Sequence, residues 1–318
     1  MSGVASSSVF ECNRRLGRGV NILGYDPLWS GREQARFQEK HFRLLRQAGF
    51  DHVRVNLHAF RHMRNDGDLA LAAAWFATLD WVLGQALAAG LLVILDCHEF
   101  TALGDDPAAH RAQFLSFWRQ LAEHARDASD RVVFELLNEP SRNLTPELWN
   151  EYLAAALGVV RAVHPERPVI VGPACWNSIG HLAELRLPEQ DRNLIVTVHY
   201  YSPMEFTHQG APWSCHKALA GVDWAGSEAE RRKIRADFGV AQAWAEAAGR
   251  PLFLGEFGAY DRAPLAARVR YTDCVARTAE ALGWSWAYWQ FDSDFLLWNM
   301  AADDWVEPIR DALIPPTR

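Results

Sequence analysis

Two glutamates in this chain occupy matching settings. The run Val132-Val133-Phe134-Glu135-Leu136-Leu137 is largely apolar and ends abruptly in Asn138-Glu139-Pro140. A run of that kind predicts a strand covered on both faces. Proline cannot continue the ladder, so Asn138 and Glu139 fall at the strand's carboxyl end. Pro251-Leu252-Phe253-Leu254 repeats the design and delivers Glu256 between Gly255 and Gly258. The glycines let a ligand or a neighbouring group come close. Two carboxylates on separate strand ends can divide one task. One donates a proton to a leaving oxygen, and the other attacks carbon or activates water. Each alone has a plainer reading, a strand cap for Glu139 and a barrel-mouth ion pair for Glu256. Two in like settings weigh against it.

Such residues need strands to hold them, and strand-like and helix-like segments alternate along the chain. Strands are expected at residues 19–23, 52–57, 92–97, 132–137, 169–171, 194–199, 252–256 and 285–290. Between them apolar residues recur every three to four positions. Examples are Leu71, Trp75, Leu79, Val82 and Ala86, then Leu148, Tyr152, Ala155, Val159 and Val163, then Ile234, Phe238, Ala241, Ala245 and Ala248. Ser30-x-x-Glu33 and Ser227-x-x-Glu230 have the form of capping boxes, and Thr145-Pro146 that of an N-cap with proline at the first helical position. Gly49, Gly90, Gly249 and Gly283 stand where left-handed C-caps would precede strands. The segment 178–187 has little periodicity and predicts a short or irregular element. Eight β/α units imply a closed (β/α)8 TIM barrel or a doubly wound sheet. Polar residues at many strand ends favour the barrel, as one catalytic domain over 1–318 with residues 1–17 as an N-terminal extension.

Composition narrows the function. The 318 residues are 49% apolar, ample for one large core. A net charge of -7 and a pI near 5.9 argue against nucleic acid or anionic membranes as partners. No apolar run reaches membrane-span length. No apolar leader is visible in residues 1–19, so the expectation is an intracellular protein or a secreted one whose leader was removed. The five cysteines, Cys12, Cys97, Cys175, Cys215 and Cys274, lie far apart, which suggests scattered reduced thiols and neither a disulfide framework nor a zinc site. His98-Glu99 lacks the second histidine of a zincin, so no metal and no cofactor is expected. Fourteen tryptophans suggest ring-stacking surfaces as well as core, with at least half of them structural.

The other strand ends complete a pattern. Arg54 and Asn56 end the second strand, Asp96 and His98 the third, His199, Tyr200 and Tyr201 the sixth, and Trp289 the eighth. With Asn138-Glu139 and Glu256 this order resembles the family 5 glycoside hydrolases, the cellulase family of (β/α)8 enzymes, over residues 18–298. The resemblance implies that Glu139 is the acid/base and Glu256 the nucleophile of a retaining endo-β-1,4-glucanase. It further implies that Arg54 and Tyr201 hold Glu256 ionised and that Asn138 takes the sugar 2-hydroxyl. His98 and His199 would bind hydroxyls or tune the carboxylates, and Trp289 would floor the cleaved sugar. Within the family a β-mannanase, a mixed-linkage β-glucanase or an exo-acting β-glucosidase fits the same residues. A carbohydrate-binding barrel without activity would have lost a glutamate or Arg54. Trp176, Trp213 and Trp298, in loops after strands, are candidate outer platforms or packing residues. Tyr25, Asp26, Asn56 and His58 are weaker groove candidates, and Asp96 is expected to serve structure. The expected partner is a β-linked oligo- or polysaccharide bound by a monomer.

Overall fold

A computed structural model describes residues 8–64 and 67–316. Eight parallel strands close into one barrel: β1 (Arg18–Ile22), β2 (His52–Leu57), β3 (Leu92–Cys97), β4 (Val132–Glu135), β5 (Val169–Val171), β6 (Leu194–Tyr200), β7 (Leu252–Phe257) and β8 (Ser285–Tyr288). β1 pairs with β8, so the barrel itself has no open edge. Helices connect the strands, the longest being Glu228–Ala248, Pro107–His124 and Pro146–Val163.

Most local signals act as expected. Ser227 and Glu230 form a reciprocal capping box, with Ser227 N–H donating to Glu230 Oε2 at 2.7 Å. Thr145 caps the helix that Pro146 opens. Gly49, Gly90, Gly249 and Gly283 all take positive φ. Residues 179–184 form only a 3-10 turn, as the weak periodicity implies. Ser30 departs from expectation. It ends one 3-10 turn, Pro27–Trp29, and Gly31 begins another, Arg32–Gln34. Asp26 does the capping instead. Its buried carboxylate accepts from the backbone N–H of Leu28 at 2.9 Å and of Phe37 at 2.8 Å. Asp26 therefore serves the loop's architecture.

β4 stops two residues earlier than expected. Leu136 N–H still reaches Ile170 O at 3.0 Å, and Asn138 N–H reaches Cys97 O at 2.9 Å. The ladder thus thins to single bonds that steer the chain to Glu139. β8 likewise ends before Trp289.

Residues 9–16 are no loose extension. They form a helix whose Val9, Cys12 and Leu16 pack with Leu92, Ile94, Val133, Ile170, Ile195, Phe253 and Ala287, the lumen-facing residues at the amino ends of the strands. The helix stoppers the barrel floor, and Asn13 Nδ2 donates to Leu252 O at 2.9 Å. Burying a side chain such as Leu16 there contributes about 1.5–3 kcal/mol. Nine of the 14 tryptophans are buried, so most do serve packing.

Candidate active site

Side chains alternate along a strand, so the lumen-facing set continues upward from that floor by twos. From Ile94 it reaches Asp96, from Val133 it reaches Glu135, and from Ile195 it reaches Thr197 and His199. Arg54 enters between them from β2, fully buried. Its Nε and Nη2 donate to the two oxygens of Glu135 at 2.7 and 2.9 Å. Nη1 donates to Asn21 Oδ1 at 2.7 Å and to Glu256 Oε1 at 2.9 Å. Nη2 also donates to Asn138 Oδ1 at 2.9 Å and lies 3.1 Å from Asp96 Oδ2. Asn21 is held in turn, its Nδ2 donating to the backbone oxygens of Gly255 and Tyr288. One guanidinium thus ties β2 to four other strands of the barrel.

Glu256 reaches this cluster through a register shift. Val198 pairs with Leu254, but His199 pairs with Glu256, so Gly255 is an extra residue in β7. Such a bulge re-aims the next side chain. With Phe253 and Gly255 both turned inward, an unbroken strand would point Glu256 out. The bulge turns it in, and only a glycine fits there. A Cβ at position 255 would lie 2.6 Å from Thr197 Oγ1 and 2.9 Å from His199 Nε2. Tyr201 donates its hydroxyl to Glu256 Oε2 at 2.9 Å.

Glu139 stands opposite, with φ at +43°. A left-handed non-glycine residue costs about 1–2 kcal/mol, which the surrounding contacts must offset. Its Oε1 lies 2.8 Å from His199 Nδ1, and the same Nδ1 is 3.5 Å from Glu256 Oε2. The nearest donor atoms of Glu139, His199 and Glu256 all fall within 4.8 Å of one another. These three could hold a cation by donor type, but the Arg54 guanidinium beside Glu256 already supplies a fixed positive charge there.

Electrostatics divides the two glutamates. Burial pushes Glu139 up to about 8; Arg54 pulls it down, and Asp96 and Glu135 push it further. Burial pushes Glu256 up to about 7, with His199, Arg54 and the Tyr201 hydrogen bond pulling it back and Glu139 raising it. Burial drives His199 below the ordinary imidazole value and His98 well below it. Tyr201 is pushed well above the ordinary phenol value by burial and by Glu256, so it keeps its proton.

Rings surround the carboxylates. Trp289 stacks on His98 with centroids 5.5 Å apart and planes at 8°. His98 Nδ1 lies 2.5 Å from Asp96 Oδ2, which leaves Asp96 structural, as expected. Tyr25 meets the edge of Trp289, and His58 packs between Tyr25 and His98. Tyr25, His58, Asp26 and Arg61 line a small cavity of about 290 Å³ beside this cluster. Trp176 is 49% exposed and its backbone N–H donates to Pro140 O, next to Glu139. Trp213 is 57% exposed and meets the edge of Tyr260. Trp298 is different. It is only 3% exposed, stacked on Phe291 and edge-on to Trp305, so it is core and not a platform. Asn56 is also no groove residue, for its Nδ2 is spent on Asn21 and Asp96 inside the barrel.

Residues 14–294 match the profile of Cellulase (glycosyl hydrolase family 5). The chain belongs to glycosyl hydrolase family 5. It is 27% identical to Endoglucanase H of Acetivibrio thermocellus over 96% of its own length and 34% of that protein's. A solved endoglucanase superposes with a TM-score of 0.92 at 34% identity, covering 97% of this chain and all of that one. Thermotoga maritima Cel5A, solved with cellobiose, gives 0.90 at 36% identity, covering 96% of this chain and 99% of that one. This family 5 chain spans about a third of the length of Endoglucanase H and two fifths of Endoglucanase 3 of Fibrobacter succinogenes.

Arg54, Asn138, Glu139, His199, Tyr201 and Glu256 of the sequence expectation meet in one cluster, with His98 and Trp289 against it. Sequence reading missed Glu135, Asn21 and Asn177. Glu135 carried a signal, a carboxylate inside an otherwise apolar strand, two residues along from Val133. Asn21 had only its place in a short strand. Asn177 had none, because an irregular turn places it.

Proposed function

We propose that this chain is a retaining endo-β-1,4-glucanase. The close approach of Glu139 and Glu256 carries the reading. Retaining glycosidases hold their carboxyl groups about 5–5.5 Å apart, and inverting ones about 6.5–9.5 Å apart to admit a water. Donor atoms within 4.8 Å of one another favour the retaining pair.

In this mechanism Glu256 attacks the anomeric carbon, aided by Arg54 and Tyr201, which favour its ionised form. Glu139, the carboxyl pushed higher, donates a proton to the leaving oxygen. It then takes a proton from the water that releases the glycosyl-enzyme. Asn138 already gives its carbonyl to Arg54, so its NH2 end serves the sugar 2-hydroxyl. Trp289 offers a flat face to the sugar ring at the cleavage point. Trp176 and Trp213 provide stacking surfaces beyond it.

The test is reducing-sugar release from carboxymethylcellulose, mixed-linkage glucan, glucomannan, mannan and xyloglucan, with product sizing and viscometry. Carboxymethylcellulose should lose viscosity early and yield a ladder of oligosaccharides. Accumulation of glucose or cellobiose alone from the first minutes, with viscosity nearly constant, overturns endo action. Mannan is in the panel because Thermotoga maritima Cel5A has also been solved with mannotriose.

A further inference from the structure

The chain leaving β5 does something unusual. Cys175, Trp176 and Asn177 take φ values of 57°, 61° and 54°, three consecutive left-handed residues without a glycine among them. Cys175 and Trp176 each cost about 1–2 kcal/mol relative to an ordinary conformation, and Asn177 less, because asparagine enters that region more readily. The turn swings Trp176 out to solvent and drives Asn177 to complete burial. There Asn177 Nδ2 lies 3.2 Å from His199 Nε2. Space is cleared on purpose-fitting sides by two glycines. A Cβ at position 172 would lie 2.1 Å from Asn177 Oδ1, and one at 255 would lie 2.9 Å from His199 Nε2. Asn177 has no place in the chemistry described so far.

The hydrogen-bond logic of the ring gives it one. A neutral imidazole has one N–H donor and one bare acceptor, and the partner of each nitrogen selects the tautomer. Nδ1 faces two carboxylates, Glu139 at 2.8 Å and Glu256 at 3.5 Å. Against ionised Glu256, and against Glu139 once its proton has gone, a bare Nδ1 would set lone pair against lone pair, so the proton belongs on Nδ1. Nε2 is then the acceptor, and it needs a donor. The NH2 of Asn177 is a donor only, and it is the group at hand. Both ends of the ring therefore ask for the same tautomer. Arg54, Glu135 and Asp96 are the other charged groups that act on the ring, and burial keeps it neutral among them.

We propose that Asn177 is a positioning residue that locks His199 as the Nδ1–H tautomer and thereby fixes which oxygen of Glu139 carries the acidic proton. Nδ1–H donates to Oε1 whether Glu139 is ionised or not. The proton of the acid form must then sit on Oε2, free to pass to a leaving oxygen. Without Asn177 the Nε2–H form becomes accessible. Its bare Nδ1 would take the Glu139 proton into an O–H···N hydrogen bond, pointing it away from substrate. This rests on Glu139 being the acid, but the tautomer itself can be measured without substrate.

The experiment has two arms. Protein labelled with 15N at histidine should show His199 neutral, with protonated Nδ1 and bare Nε2, near pH 6. Asn177→Asp presents only acceptors to Nε2 and should move the ring to Nε2–H or to the charged form. Kinetically, Asn177→Asp and Asn177→Leu should lose ~10–100-fold in kcat/KM on β-glucan, part of the ~10²–10⁴-fold that a general acid supplies. On dinitrophenyl cellobioside, whose leaving group needs no acid, the loss should stay within about threefold. Equal losses on both substrates in folded variants, or no loss on either, overturn the proposal. So does Nε2–H in the wild type, a result available even if neither variant folds. A wild type that shows Nδ1–H but cuts no β-glycan overturns the proposed function and leaves the tautomer assignment standing.

Discussion

Arg54 grips Glu135 by two parallel hydrogen bonds at 2.7 and 2.9 Å and gives Glu256 only one. The guanidinium is therefore as much a structural counter-charge as an aid to Glu256. Removing it leaves Asp96 and Glu135 buried without a cation. Arg54→Ala should lose about 3–5 kcal/mol of stability, the usual cost of breaking a buried pair. Glu135→Gln should cost less than half as much, because Arg54 keeps Asp96 and Glu256. Urea unfolding of the two variants checks this, and a larger loss for Glu135→Gln would contradict it.

The raised carboxylates have a signed effect on stability. Both ordinarily ionise near 4.5, and in the fold Glu256 rises to about 7 and Glu139 to about 8. Between 4.5 and those values the folded chain holds more protons than the unfolded one, so stability falls as pH rises. The contribution is complete below 4.5 and is lost as pH passes 7 and then 8. Glu139→Gln should therefore raise Tm at pH 8.5 by several degrees and change it little at pH 4.5. Thermal scans at the two pH values test the sign.

The same pair shapes the activity profile. Glu256 must be ionised and Glu139 protonated, so kcat/KM should be bell-shaped with limbs that belong to the pair. The alkaline limb should appear on β-glucan and vanish on dinitrophenyl cellobioside, whose leaving group needs no acid. An alkaline limb that persists unchanged would assign it to another group.

The roles of the two glutamates separate by azide rescue. Glu139→Ala should still form the glycosyl-enzyme from an activated aryl glycoside and accumulate it. Azide should then release a β-glycosyl azide. Glu256→Ala should form no such intermediate, and any azide product should be α. Mass spectrometry of the trapped enzyme and NMR of the azides decide the assignment, and exchanged products would reverse it.

Two tryptophans give opposite expectations from similar sequence positions. Trp298→Ala opens a hole among Phe291, Trp305 and His41 and should cost about 3–5 kcal/mol of stability. The folded fraction should keep its kcat. Trp176→Ala should leave Tm within a few degrees and raise KM on long β-glucan chains more than on short ones. Denaturation curves beside kinetics on chains of graded length distinguish the two.

The sequence by itself determined the barrel, the strands and the pair of glutamates. Alternating periodicities, glycine C-caps and the Asn-Glu-Pro stop are local signals, and local backbone chemistry executes them. It also gathered Arg54, Asn138, His199, Tyr201 and Trp289, because lying at carboxyl ends of parallel strands brings residues to one mouth. Tertiary structure decided the orientations. Without the register shift at Gly255 the inward alternation of β7 would turn Glu256 away, and a bulge exists only relative to the neighbouring strand. Trp298 became core because the two-stranded ribbon of Trp298–Asn299 and Asp304–Trp305 folds it against Phe291, a pairing that no spacing encodes. Asn177 reached His199 through a left-handed turn that ordinary propensities oppose. Residues 9–16 looked like an extension because the surface their apolar face covers, the floor of the barrel, exists only once all eight strands have closed.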